Sequence, residues 1–151
     1  MEDFLLNFGY LGVFIISFLS ATLLPFSSDV VVATTTALNF NPVILLFVAT
    51  IGNTLGGMTN YLIGYLGKEE WPKKYLKIKE SKLNKAKNIV IKYSKLSAFF
   101  TWLPAIGDPI AIVLGFFKIN PFYVFIFMFL GKGFRYAFII FMVDIFKKIL
   151  F

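Results

Sequence analysis

The sequence contains no cysteine and no histidine. Disulfides, thiol nucleophiles, imidazole bases and the usual zinc and haem sites are thereby excluded, which argues against an enzyme and against any metal or cofactor. Charge is scarce too, except in one stretch: between Lys68 and Lys95 ten lysines stand against three glutamates, while elsewhere five bases balance five acids. The whole net charge of +7 is therefore local. A basic run can serve as a nucleic-acid arm, but between apolar segments it follows the positive-inside rule, which puts this linker in the cytoplasm and gives nucleic acid no part. A positively charged lead is also missing. Glu2 and Asp3 stand where a secretory signal has its basic region, so the first apolar run is not such a signal.

What is abundant is apolar surface. The chain is 58% hydrophobic, with 20 Phe and a mean hydropathy of +0.79. A soluble domain of 151 residues has too little interior to hide that many apolar side chains, so lipid is the solvent for much of the surface. Residues 1–151 read as one integral membrane domain.

One pattern occurs twice. Leu24-Pro25-Phe26-Ser27-Ser28-Asp29 returns as Leu103-Pro104-Ala105-Ile106-Gly107-Asp108, 79 residues on. The same shift carries Asn41-Pro42 onto Asn120-Pro121 and Gly52 onto Gly131, giving six identities at one offset. Each copy is an apolar run broken at Pro, a short turn, an Asp, and a second apolar run, which predicts a helical hairpin. The arms are 10–24 and 30–40 in the first copy, 89–103 and 109–119 in the second. The shorter arms reach only about 17 Å, well short of the roughly 30 Å hydrocarbon core, so they enter the membrane and return. Asp29 and Asp108 fit N-cap positions, with Pro109 at the first helical position. Asn41-Pro42 and Asn120-Pro121 repeat the device and start longer helices, 42–67 and 121–146, each long enough to span.

The spanning helix from Pro42 carries Gly52, Gly56 and Gly57, and Gly131 holds the matching place in the last helix; small residues there allow close helix packing. The first of these helices also carries Thr50, Asn53, Thr54, Thr59 and Asn60, which should face protein or water. The linker, 68–95, opens with the interfacial pair Trp71-Pro72 and places Tyr75, Leu76, Leu83, Ile89, Val90 and Tyr93 in one half of a helical wheel. It predicts an amphipathic helix on the cytoplasmic face, continuous with the first arm of hairpin two and attracted to anionic headgroups. Repeat one covers 10–67 and repeat two 89–149. Because one spanning helix separates the hairpins, the repeats are inverted and both termini are extracytoplasmic. Lys147 and Lys148 run against that count, but the ten-lysine linker outweighs them.

Inverted repeats bring the hairpin tips together near the membrane middle, as in secondary transporters. Asp29 and Asp108 would meet there. Lys132 and Arg135, three residues apart on one helix face, lie about 17 to 21 Å along the last helix, near the same depth. Two acids and two bases can neutralise one another. On one reading they are only caps and counter-ions. On the other, charges at bilayer depth mark a pathway: the acids gate or carry protons, and the bases capture an anionic headgroup, Arg135 suiting a bidentate phosphate contact.

Four blocks, Phe18-Leu-Ser-Ala-Thr-Leu-Leu-Pro25, Gly52-Asn-Thr-Leu-Gly-Gly57, Trp102-Leu-Pro-Ala-Ile-Gly-Asp108 and Gly131-Lys-Gly-Phe-Arg-Tyr136, resemble the DedA family of SNARE-associated, or VTT-domain, membrane proteins, in its short YqaA-like branch. The resemblance covers nearly the whole chain outside the linker. It implies opposed re-entrant hairpins, the bacterial inner membrane, and translocation of undecaprenyl phosphate or phospholipid coupled to the proton motive force. Asp29 matches the acidic position after the family's first Pro loop. The family carries arginines around the second Pro loop, where this chain has none; Lys132 and Arg135 are the candidates to replace them. The expectation is an all-α membrane carrier of a phosphate-bearing lipid, with membrane lipids and protons as partners and room for a homo-oligomer. A proton-coupled exporter of a small solute or ion, or a non-transporting scaffold, are the alternatives.

Overall fold

A computed structural model describes residues 2–22, 27–68, 80–103 and 106–150. Pro25, Pro104 and the Trp71-Pro72 start of the linker lie outside them. Among the described residues all regular structure is helical. Helices α1 (Glu2–Ser20), α2 (Ser28–Ala37) and α3 (Pro42–Leu66) form the first half; α4 (Glu80–Lys92), α5 (Ser94–Phe99), a 3-10 turn (Phe100–Trp102), α6 (Gly107–Phe116) and α7 (Pro121–Leu150) form the second. Helices α3 and α7 are long and apolar enough to cross a membrane. With 25 and 30 residues they measure about 37 and 45 Å. Helices α2 and α6 have 10 residues each, about 15 Å, too short to cross.

The turns that feed α3 and α7 are built alike. Asn39 (φ 64°) and Lys118 (φ 54°) are the non-glycine residues at positive φ among those described, and they stand 79 apart. Around Asn39, the Asn39 N–H donates to the Thr36 carbonyl (3.1 Å) and the Phe40 N–H to that of Thr35 (3.2 Å). Around Lys118, the Lys118 N–H donates to Gly115 (2.8 Å) and the Ile119 N–H to Leu114 (3.1 Å). Both are the left-handed helix stop in which two backbone bonds satisfy the last carbonyls. Asn41 then caps α3, its Oδ1 accepting from the Val43 and Ile44 N–H groups, and Asn120 Oδ1 accepts from the Phe122 N–H (2.9 Å).

These turns lie at opposite ends of α3. The first leads directly into Pro42, whereas the Lys118 ammonium sits over the Tyr65 ring, 5.8 Å from its centroid, about 35 Å further along the helix. The C-terminal part of α7 comes back to the first turn, where Lys147 Nζ donates to Asn39 Oδ1 (2.6 Å) and the Thr36 carbonyl (3.1 Å).

Packing follows the same exchange. Helix α3 packs along α1 and α6, and α7 along α2 and α5. One buried cluster holds Val13, Val32, Leu45, Ala49, Tyr136 and Ile140; the other holds Tyr61, Ala98, Ala111, Leu114, Val124 and Met128. Val32 and Ala111, Leu45 and Val124, Ala49 and Met128, and Tyr61 and Ile140 are each 79 apart. Both long helices contribute to both clusters. The crossing of α3 and α6 is close because Gly64 lies against the Ile112 carbonyl and Gly115 against that of Tyr61. Gly52 and Gly56 lie against the Phe14 and Phe18 carbonyls of α1, Gly131 against the Phe99 carbonyl, and Gly57 against Met128 and Lys132 of α7.

Four boundaries differ from the sequence reading. Helix α1 begins at Glu2 rather than near Tyr10, since no Pro interrupts residues 2–20. Asp29 and Asp108 are not N-caps: Ser27 and Ile106 hold those positions, and each Asp lies inside the first turn, where the positive helix end still favours a carboxylate. Pro109 is the third residue of α6 rather than the first, tolerated because the N–H groups of a first turn are unpaired in any helix. The linker helix does not run unbroken into hairpin two; α4 ends at Lys92 and α5 restarts after Tyr93, where the β-branched Ile89, Val90 and Ile91 and then Ser94 weaken helical continuity.

Candidate functional site

The polar face of α3 and the Lys132–Arg135 face of α7 meet in the interior, and the two cations part company there. Lys132 is 3% exposed. Its ammonium donates to the Asn53 carbonyl (2.9 Å) and to Asn53 Oδ1. Asn53 is itself fixed to α1, its Nδ2 donating to the Ser17 carbonyl (3.1 Å) and to Ser20 Oγ (3.2 Å). Residues 53 and 132 occupy equivalent places in the duplicated pattern, so the two halves touch at matching positions.

Arg135, one turn further on, stays partly open. Its Nη1 donates to the Trp102 carbonyl of the 3-10 turn (2.9 Å), which aims Nη2 at Asp29, and the two form an ion pair with side chains 22% and 34% exposed. Asp29 reaches this place because it lies in the first turn of α2. Its neighbour Ser28 is anchored to α7 through a buried 2.7 Å hydrogen bond with the Tyr136 hydroxyl. Asp108, in the first turn of α6, lies by the Asn60 side chain and within the electrostatic reach of Lys132 and Arg135. Asn60 is held by its own Nδ2, which donates to the Ala21 carbonyl (2.7 Å).

The four charges named from the sequence are thus brought together, but not equivalently. Arg135 pairs with Asp29, whereas Lys132 is bound by Asn53 and lies near Asp108. Six buried side-chain atoms have no hydrogen-bond partner among the described residues: Ser17 Oγ, Thr50 Oγ1, Thr54 Oγ1, Asn60 Oδ1, Asp29 Oδ1 and Trp102 Nε1. No cluster able to hold a metal occurs among the described residues. Sequence reasoning marked Asn53 and Asn60 as polar groups needing partners but assigned them no role. It passed over Ser28, Tyr136 and the Trp102 carbonyl, whose part depends on how distant turns meet; polar residues in apolar helices were the only signal.

Two helices long and apolar enough to cross a membrane, with shorter apolar helices packed against them and an ion pair joining α7 to α2, fit a helical membrane protein. The chain belongs to the VTT-domain, or DedA, family: the family model described as the VTT domain matches residues 24–145. It is 33% identical over 129 residues to the inner membrane protein YqaA of Escherichia coli K12, an alignment covering 83% of this chain and 84% of that protein. An uncharacterized protein of Haemophilus influenzae is 32% identical over 137 residues, covering 85% and 83% of the two chains. No solved structure matches the chain.

Proposed function

We propose that this inner-membrane protein carries a phosphate-bearing lipid between leaflets, with the repeats inverted across the bilayer and Arg135 as the headgroup contact. The observation that carries the reading is the Arg135–Asp29 pair: a partly exposed guanidinium within an apolar helix long enough to span, oriented by a backbone carbonyl and paired with a partly exposed carboxylate. A phosphate competes for that guanidinium bidentately and displaces Asp29, which with Asp108 gates the movement or couples it to protons. Lys132, buried on Asn53, serves the join of the two halves and adds field rather than contact. The inverted arrangement draws support from turns at opposite ends of α3 and from two cores, each assembled from both repeats with members 79 residues apart. Charges within membrane helices are costly, and transport is the use that most often retains them.

The test is leaflet exchange in proteoliposomes of a fluorescent prenyl phosphate against a neutral lipid with the same tail. Native protein should move the phosphate lipid preferentially, and Arg135→Gln should lose at least about tenfold in rate, the value of one charged hydrogen-bond pair. Equal exchange of both lipids, or full activity in Arg135→Gln, would sink the proposal.

A further inference from the structure

A groove runs along the second hairpin, bounded by hairpin side chains other than those of the charged centre. Val90 of α4 and Ser97 of α5 form one wall; Ile106, Pro109 and Val113 form the other, with buried Leu114 behind them. This open groove has a volume of about 180 Å³, and Ser97 supplies the one polar side chain among its described lining residues. An apolar cavity of about 150 Å³ stays dry and takes up an apolar ligand instead. In a bilayer the apolar ligand at hand is an acyl chain, and here it finds two walls where an ordinary lipid-facing helix offers one.

Charge selects the lipid. Lys85, Lys87 and Lys92 of α4 and Lys95 of α5 are all exposed on the same arm, the Lys92 ammonium over the Tyr93 ring (5.4 Å) and the Lys95 ammonium over the Tyr123 ring of α7 (4.9 Å). Ile89, Ile91, Tyr93 and Leu96 expose apolar surface between them. That composition settles at the headgroup boundary, apolar side in the acyl region and lysines among phosphates.

We infer that this groove binds one acyl chain of an anionic membrane phospholipid, selected by the exposed lysines of the same arm, Lys92 and Lys95 among them. Such a lipid is resident rather than cargo, and the site stands whether or not Arg135 meets a transported lipid.

The full chain, reconstituted in nanodiscs, is photolabelled with phosphatidylglycerol or phosphatidylcholine carrying the same diazirine acyl chain, and the cross-linked peptides are mapped. Phosphatidylglycerol cross-links should concentrate in 90–97 and 106–114, exceeding those of phosphatidylcholine about fivefold, as two surface lysines allow. Val113→Trp should remove them, and Ser97→Leu, filling the groove from the other wall, should do the same if the first variant misfolds; Leu62→Trp on exposed α3 surface should leave them. Lys92→Glu with Lys95→Glu should erase the preference between lipids. Labels spread evenly over α3 and α7, labels unchanged by both groove variants in monodisperse protein, or equal labelling by both lipids would overturn the inference.

Discussion

Lys132 and Arg135 are three residues apart on one helix face, yet their surroundings give them different work. The ammonium of Lys132 is a compact charge that a single asparagine can bind through two oxygens, and burial without such partners is expensive. Asn53→Ala removes one acceptor and leaves the charge buried. The expected loss is about 1–3 kcal/mol of stability, read as a lower melting temperature in detergent; an unchanged melting temperature would show that Asn53 does not carry the lysine. Arg135 instead has donors to spare, with Nη1 committed to Trp102 and Nη2 to a carboxylate. At this scale the sequence was legible where a motif acts locally. Asn41 and Asn120 cap their helices by contacts within three residues, whereas the partners of Asp29 and Lys132 lie 106 and 79 residues away.

The paired turns are the elements that make the duplication visible. Asn39 suits the left-handed conformation, because its short polar side chain tolerates that region; Lys118 holds the same conformation against its steric preference. Lys118→Gly should raise stability by up to about 1 kcal/mol, since glycine adopts positive φ freely. A fall in thermal stability would mean that the contact of Lys118 with the Tyr65 ring outweighs the backbone cost. The Pro and Asn punctuation located both turns in the sequence, but helix starts moved by one or two residues because an Asp serves a first turn as well as a cap. The break at Tyr93 had no Pro or Gly to announce it, and the amphipathic pattern of the linker runs straight through it.

For the whole molecule, the duplicated pattern foretold which segments would correspond; it did not show that each core would be assembled from both repeats, since that depends on how α3 and α7 cross. Inversion makes a direct prediction about sidedness. Because the chain has no cysteine, single reporters can be introduced without removing any. Asn39→Cys and Lys118→Cys should react with a membrane-impermeant maleimide from opposite faces, Lys118→Cys from the face that also exposes Lys85→Cys. Labelling of both turns from one face would mean that the repeats are not inverted.

The proposed carriage of a lipid phosphate, with Asp29 and Asp108 coupling it to protons, is tested most directly by leaflet exchange of a fluorescent lipid phosphate under an imposed pH gradient. Native protein should show exchange that the gradient accelerates, and Asp29→Asn with Asp108→Asn should abolish the acceleration while the protein remains folded and monodisperse. Gradient-driven exchange that survives the double substitution, or no exchange at all by correctly folded native protein, would contradict the account and return the two acids to a structural role in the first turns of their helices.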